Sequence, residues 1–401
     1  MLDAGRDPAT CGRATGSGVE QVGDSPDIPA DPALKFRVMA PAELTAGELA
    51  AWSQLQEREP ELSSPYFRPE FTLDVAAVRN DVLVAVFERQ GEAVGFFPFQ
   101  RGRWGIGRPV GWPLSDFQGV VVGQGVTWNA AALMRACRLS AWDFDHLITS
   151  QQPFAESHWV RHESPYLDLS GGFEAYFEER QRAGSDQLSQ ALRKKRKMER
   201  EVGRMRFDFR STDDRIFETL IRWKTQQYLE TEALNVFGFD WTMPLLRRFL
   251  DRRGREFSVA MSALYVGERL AAAHFGIRSG STLHWWFPSY DRAFRPYSPG
   301  LILLLEIARE APALGIERVD LGKGQAQYKT SFMSGSTCVA EGSVEYGPAV
   351  RIIRRGGRRA REWVRASPFH AAARASRRAL KMFSERLSLR RSPTSTGPGR
   401  P

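Results

Sequence analysis

The segment from Phe287 to Lys329, FPSYDRAFRPYSPGLILLLEIAREAPALGIERVDLGKGQAQYK, gathers side chains able to bind an anion and to move a proton. Ser298, Pro299, Gly300 and Leu301 read as a helix start. Serine at the N-cap supplies a partner for a free amide, and proline at the first helical position needs none. Gly300 lets a ligand approach the first-turn amides, where the helix dipole favours a phosphate. Asp291, just before this helix, is a candidate base or acceptor-orienting carboxylate; it equally suits a turn cap or a partner for Arg292 or Arg295. His274 and His284 fall on neighbouring strands and are expected to face one cleft, where an imidazole titrates near neutral pH; a structural role for each is the alternative. Lys323, Gln325 and Lys329, with Tyr290 and Arg295, offer contacts for a phosphate or a sugar. Gly322 and Gly324 there also satisfy a tight turn. Trp285 and Trp286 point to opposite faces of a strand, one toward core and one available to a sugar cleft.

These residues need a frame of mixed elements. Residues 35–39 read as a strand, 42–58 as a helix, and 82–100 as a hairpin turning at Gln90 and Gly91. A Gly, Pro and Trp-rich passage over 102–113 leads to Leu114, Ser115, Asp116 and an apolar run at 120–122. A helix over 129–140 and a strand centred on 146–148 come next. A second unit repeats the order: strands over 257–265, 270–277 and 283–287 with turns at Gly267 and Gly280, then the Phe287 to Lys329 segment. Between the units, residues 173–202 read as largely helical, with Leu188, Ala191, Leu192, Met198 and Val202 on one stripe and the cations Arg193 to Lys197 outside it. The expected organisation is a disordered leader (1–34), an N-terminal domain (35–172), a basic linking helix (173–202), a C-terminal domain (203–350) and a basic tail (351–401), helical in part or disordered.

The chain of 401 residues is 42% hydrophobic and 26% charged, the balance of a globular protein. Its formal charge of +9 is local: residues 351–401 hold 15 Lys and Arg against 2 acids, and the preceding 350 residues hold 41 against 45. In the tail, Trp363, Phe369, Leu380, Phe383 and Leu387 alternate with arginines, which fits either a helix lying on an anionic membrane or a solvated tail. The leader lacks a signal-peptide core, and no run reaches the roughly 18 apolar residues of a spanning helix. Three scattered cysteines, Cys11, Cys137 and Cys338, argue against a disulfide framework or a zinc site, so no metal and a cytoplasmic setting, possible contact with the membrane's inner face included, are expected.

Tyr290, Asp291, Tyr297, Ser298, Pro299, Gly300, Leu301, Asp320, Leu321, Gly322, Lys323, Gly324, Tyr328 and Lys329 together resemble the CelD/BcsL-type acetyltransferases of the GNAT superfamily, associated with cellulose and other exopolysaccharide synthesis. Phe71, the strand at 94–99 with Pro98, and Leu114, Ser115, Asp116 and Phe117 are similar to that family's amino-terminal part. The resemblance covers about residues 35–350. It implies an α/β (α+β) fold of two tandem GNAT-like domains, mixed sheets flanked by helices, as in FemAB-type aminoacyltransferases. It implies acyl transfer from acetyl-coenzyme A or another acyl-coenzyme A to a hydroxyl or amine of a saccharide or its precursor. By the same analogy, the helix at Ser298 holds the pyrophosphate, and Tyr328 is an acid for the thiolate or simply packs against the helix. The loop departs from the superfamily's Q/R-x-x-G-x-G/A, having one glycine and two prolines, Pro296 and Pro299. An aminoacyl-tRNA-dependent transferase, with Arg193 to Lys197 on the RNA, and a non-catalytic assembly factor of a polysaccharide complex are the alternatives.

Overall fold

The computed structural model describes residues 31–254, 256–324 and 326–347. Gln325, the leader up to residue 30 and the tail lie outside them. Thirteen strands carry the architecture: β1 Leu34–Met39, β2 Val82–Arg89, β3 Glu92–Arg101, β4 Ile106–Arg108, β5 Val121–Val122, β6 Ala141–Ile148, β7 His158–Asp168, β8 Met205–Asp208, β9 Ser258–Val266, β10 Arg269–Ser279, β11 Thr282–Tyr290, β12 Arg318–Asp320 and β13 Gly335–Glu345. Nine α-helices accompany them among the described residues: α1 Ala46–Arg58, α2 Pro69–Ala76, α3 Ala130–Ala136, α4 Gly172–Arg182, α5 Gln187–Glu201, α6 Asp214–Glu230, α7 Thr242–Leu250, α8 Pro299–Glu310 and α9 Gln327–Phe332.

The strands form one sheet in the order β1-β2-β3-β4-β6-β13-β7-β12-β11-β10-β9-β8, with β5 beside β3. The mixed α/β architecture expected from the sequence is the one observed. The two modules do not keep separate sheets, however. β13, the last strand, crosses into the first module and seats between β6 and β7, antiparallel to both. β7 then pairs with β12 of the second module.

Local signals explain several boundaries. α1 starts at Ala46 rather than 42 because Thr45 and Glu48 close a capping box, each side chain satisfying the other residue's amide. The β2–β3 hairpin turns through Gln90 and Gly91, both at positive φ, as a two-residue turn matched to strand twist requires. The segment 173–202 is two helices, and Leu188, Ala191 and Met198 of the second are buried in a core shared with α8. Val202, expected on that stripe, is exposed.

The modules share a core as well as a sheet. Phe71 on α2 stacks on Phe249 of α7, with centroids 5.8 Å apart. Beside them Asp74, fully buried, accepts two bonds of 2.8 Å from Arg252 and one of 3.2 Å from Arg248. Asp74 is thus a buried carboxylate compensated by two half-exposed arginines of the other module. Cys137 is free and buried, and Cys338 is disulfide-bonded, a single bond rather than a framework. Sequence spacing does not limit which segments meet in space.

Candidate active site

The site grows out of one interrupted ladder. β10 and β11 pair along their whole length, from Ala272 opposite Tyr290 to Ser279 opposite Thr282. Between the pairs Phe275–Phe287 and Ile277–His284, β11 holds one residue more than β10. The extra residue makes a bulge at Trp285–Trp286 opposite Gly276. No larger residue fits there: a Cβ on Gly276 would lie 2.4 Å from His274 Cε1 and 2.5 Å from the His284 carbonyl oxygen.

On its other edge β11 pairs with β12 for three residues only, ending at His284 opposite Asp320. Beyond that point β11 runs on to Tyr290, while the chain after Asp320 leaves: the Leu321 amide donates to Pro165, and Gly322 and Gly324 take positive φ. The two parallel strands therefore splay. The edge of β11 from Trp285 to Tyr290 has no strand partner on that side among the described residues, and its backbone can receive an extended, amide-bearing ligand.

His284 sits at the apex of the splay, fully buried. Its Nε2 lies 2.9 Å from Oδ2 of Asp116, which comes from the first module. The other oxygen of Asp116 is 3.6 Å from His146 Nε2, and His146 Nδ1 is 3.1 Å from Asp145 Oδ1. Burial opposes ionisation of Asp116, but the His284 bond, the charges of His146 and His284, and Lys329 outweigh it and hold the carboxyl well below its usual range. An ionised Asp116 accepts from His284 Nε2–H, so whenever the imidazole is neutral its lone pair is at Nδ1, a buried atom with no hydrogen-bond partner.

Lysines line both lips of the splay. Lys329 Nζ donates to the carbonyls of Gly322 (3.0 Å) and Lys323 (2.9 Å), closing the glycine segment against the apex. Lys224 on α6 donates to the carbonyl of Pro288 on β11, at 3.2 Å. Burial, with Lys329 adding to it, lowers Lys224 to about 8. Burial also raises Tyr228, on the same helix, to about 12, with Asp116 contributing. Lys323 reaches the carbonyl of Asp145 (2.8 Å) and the Glu341 carboxylate (2.7 Å), so it ties the glycine segment to β6 and β13.

The other expected residues divide. Tyr328 packs beside the splay against the second core, and burial keeps its phenol protonated above the ordinary range. His274 lies under Trp285, the rings stacked at 4.3 Å, and burial followed by the nearby His284 pushes it down to about 3. The shared two-histidine cleft does not form, because the Trp285 indole covers His274. Asp291 caps the turn into α8, accepting from the Ala293 amide at 2.9 Å, and its other oxygen is 3.2 Å from Arg269. Its partner is thus neither Arg292, which pairs with Glu230, nor Arg295, which is exposed. Trp286 donates to the Leu114 carbonyl at 3.1 Å and packs on Phe287 and Phe249, so neither tryptophan offers an open stacking face.

At the start of α8, Ser298 departs from the expected cap. It adopts φ 55°, ψ 57° and makes no side-chain cap. Its Oγ accepts from Lys194 Nζ at 2.7 Å, and its carbonyl takes the amides of Leu301 (3.0 Å) and Ile302 (3.3 Å). The Gly300 amide remains for a ligand. A Cβ at Gly300 would meet only Tyr290 Cδ1, at 3.6 Å, so the approach is open. Lys194 beside this turn, and Lys197 with its ammonium 5.9 Å from the Tyr297 ring centroid, bring positive charge to it. These cations were expected on a solvent face; Lys194 and Lys195 instead turn toward α8, Lys195 to the buried Glu306 at 2.9 Å. The donors fit a pyrophosphate and the splay fits a pantetheine arm, although Pro296 and Pro299 leave few amides.

Residues 185–330 match the family model of an acetyltransferase (GNAT) domain. That match supports acyltransferase chemistry of GNAT type for this segment. The matched segment holds the splay, His284, Tyr328 and Lys329, but not Asp116. No curated protein matches the chain. The solved structure of FemX is similar over 79% of this chain and 99% of that one, with a TM-score of 0.52 and 8% identity. A tandem GNAT protein from the clavulanic acid biosynthesis pathway covers 79% of this chain and 99% of its own, at a TM-score of 0.46 and 12% identity. At such identities the likeness is one of fold.

Asp116, His146, Lys224 and Tyr228 are the site residues that sequence reasoning left out. Leu114 to Phe117 stood out as a motif, but nothing local marks Asp116 as the partner of a histidine 168 residues away.

Proposed function

We propose that this protein transfers an acyl group from acyl-coenzyme A to a hydroxyl or amine of a saccharide or its activated precursor, in cellulose or another exopolysaccharide synthesis. The observation that carries the transfer is the splay of β11 and β12 with the Asp116–His284 pair at its apex. The saccharide acceptor is supported by the resemblance of the motifs around Ser298 and Asp320. The pantetheine arm lies along the free edge of β11, and its pyrophosphate meets the Gly300 amide and Lys194. His284 takes the proton of the attacking group at Nδ1 while Asp116 stabilises the imidazolium. The carbonyl carbon gains the acceptor's oxygen or nitrogen and loses the thiolate, which receives a proton from Tyr328.

Thermal denaturation with and without acetyl-coenzyme A tests the reading. Stabilisation is expected for the wild type and is lost in Gly300→Glu, whose own melting temperature stays close to the wild type's because the site has room for a side chain and a helix start tolerates an acid. If no acyl-coenzyme A stabilises the wild type, the reading fails. Transfer from aminoacyl-tRNA would show instead as copurifying tRNA that is lost when Arg193 and Arg196, two of the exposed members of the cation run Arg193 to Lys197, are neutralised.

A further inference from the structure

One corner of the first module is strongly basic and carries an exposed indole. Residues 93–142 contain five arginines and a single acid, Asp116, which is committed to His284. Four of those arginines gather where the turn after β3 meets the end of α3. Arg101 donates to the Cys137 carbonyl at 2.6 Å, and the Arg103 guanidinium lies 5.2 Å from the Trp104 ring centroid. Arg135 and Arg138 are exposed in and just after the last turn of α3. The corner is rigidly held: Ser140 donates through its amide to Gly105 and through its hydroxyl to the Trp104 carbonyl, each at 2.8 Å. Trp104, at φ 57°, stands 81% exposed.

A tryptophan fixed in that pose presents an apolar ring with a polar N–H to solvent, ringed here by cations. Of the acids on the adjoining strands, Asp143 accepts from Ser343 at 2.7 Å, and Glu345 ends β13 opposite Ala141. The last described strand reaches this same place, since the Tyr346 amide donates to the Ser140 carbonyl at 2.8 Å. Beyond it in sequence, residues 351–401 hold 15 Lys and Arg against 2 acids, interleaved with Trp363, Phe369 and Phe383.

We infer that the Trp104 corner, formed by the exposed Arg103, Arg135 and Arg138 around the indole, docks the folded body on an anionic lipid surface. The indole enters the headgroup layer, where an amphipathic ring is favoured, and the guanidinium groups pair with lipid phosphates. The basic composition of the tail is a second signal, and two weak signals together give stable attachment where one does not. The corner suits a membrane better than a nucleic acid, because it has one projecting aromatic rather than a groove of stacking platforms. β6 runs from this corner to His146, five residues on, which sets the catalytic apex roughly 17 Å from the docked edge. The inference does not depend on the acyl-transfer reading.

The test is sedimentation of the full chain with vesicles of phosphatidylcholine, alone or mixed with phosphatidylglycerol. The wild type is expected to bind only the mixed vesicles. Each arginine near the surface contributes roughly a fivefold factor, so Arg103→Gln, Arg135→Gln and Arg138→Gln together should lower partitioning on the order of 100-fold. Trp104→Ala should lower it as well. Neither variant should change the melting temperature or the stabilisation by acetyl-coenzyme A, which separates lost docking from lost folding and from failure of the catalytic reading. Equal binding of the triple variant and the wild type would overturn the inference, leaving the tail as the sole anchor. So would binding to neutral vesicles alone, no binding to either, or binding confined to RNA.

Discussion

Replacing Asp116 by asparagine keeps the shape of the apex and removes its charge. At 2.9 Å, unit charges on His284 and Asp116 would attract by at most roughly 6 kcal/mol at an effective dielectric constant of about 20. The lower bound is the gap of about 1–1.5 kcal/mol between hydrogen bonds to charged and to neutral partners. Taking about 3 kcal/mol between them, Asp116→Asn should lower kcat/KM by roughly 150-fold. The assay is release of free thiol from acetyl-coenzyme A over a panel of amine and saccharide acceptors, with cosubstrate affinity measured alongside. Affinity should hardly change, since Asp116 belongs to the apex and not to the pyrophosphate end. His284→Ala alone and combined with Asp116→Asn should give nearly the same rate, because the pair acts as a unit. Stability offers an independent check. The folded protein holds Asp116 at a lowered pKa, so it adds stability above about pH 4 that is lost as acid protonates it. The variant should therefore be less stable than the wild type at neutral pH, with the gap closing below about pH 4. A well-folded Asp116→Asn enzyme within a few-fold of wild-type kcat/KM would refute the dyad.

Two further substitutions probe the lips and the bulge. Lys224 has a folded pKa of about 8 against an ordinary value near 10.5, so its charged form is disfavoured in the native state. Stability should rise with pH from about 8 to 10.5 through this group, and Lys224→Met should raise the melting temperature at pH 7 by an amount that shrinks across that window; a lower melting temperature at pH 7 would contradict it. Gly276→Ala forces a methyl group to within 2.5 Å of the His274 ring and the His284 carbonyl. We expect a loss of about 1–3 kcal/mol, read from the urea midpoint, together with loss of stabilisation by acetyl-coenzyme A; an unchanged midpoint would mean that Gly276 does not pin the bulge.

The parts legible in sequence were those written in local patterns. The meander from β9 to β11, the proline at the first turn of α8 and the hairpin at Gln90 and Gly91 each come from residue type and period. The site was legible only on its second-module side, in His284, Tyr328 and Lys329. Three features were hidden for physical reasons. The bulge at Trp285–Trp286 depends on a glycine across the ladder, which a one-strand pattern cannot register. Ser298 looked like an N-cap, but its backbone is left-handed and its hydroxyl accepts from Lys194 instead of capping an amide. The cation run looked like a solvent face, yet Lys195 neutralises Glu306, an acid that α8 buries.

The crossing of β13 is the step that makes one catalytic unit from two modules. The splay lies wholly in the second module, but a bare splay with an isolated buried histidine would have nothing to fix the ring or balance a proton on it. Asp116 does both, and it is held in place from the other module: Trp286 anchors Leu114 two residues away, and the neighbouring Gln118 is fixed by Asp145 at 2.6 Å. β6 carries Asp145 and His146, and β6 is paired to the second module through β13, which lies between it and β7. Lys323 then joins β6, β13 and the glycine segment over the apex in a single set of contacts. A second module cut free at residue 185 would lose the dyad and also β7, the strand that pairs with both β12 and β13, so it should bind the cosubstrate weakly or not at all and turn over nothing. On the proposed mechanism the first module is half of the active site, supplying the carboxylate that gives the buried histidine a chemical role.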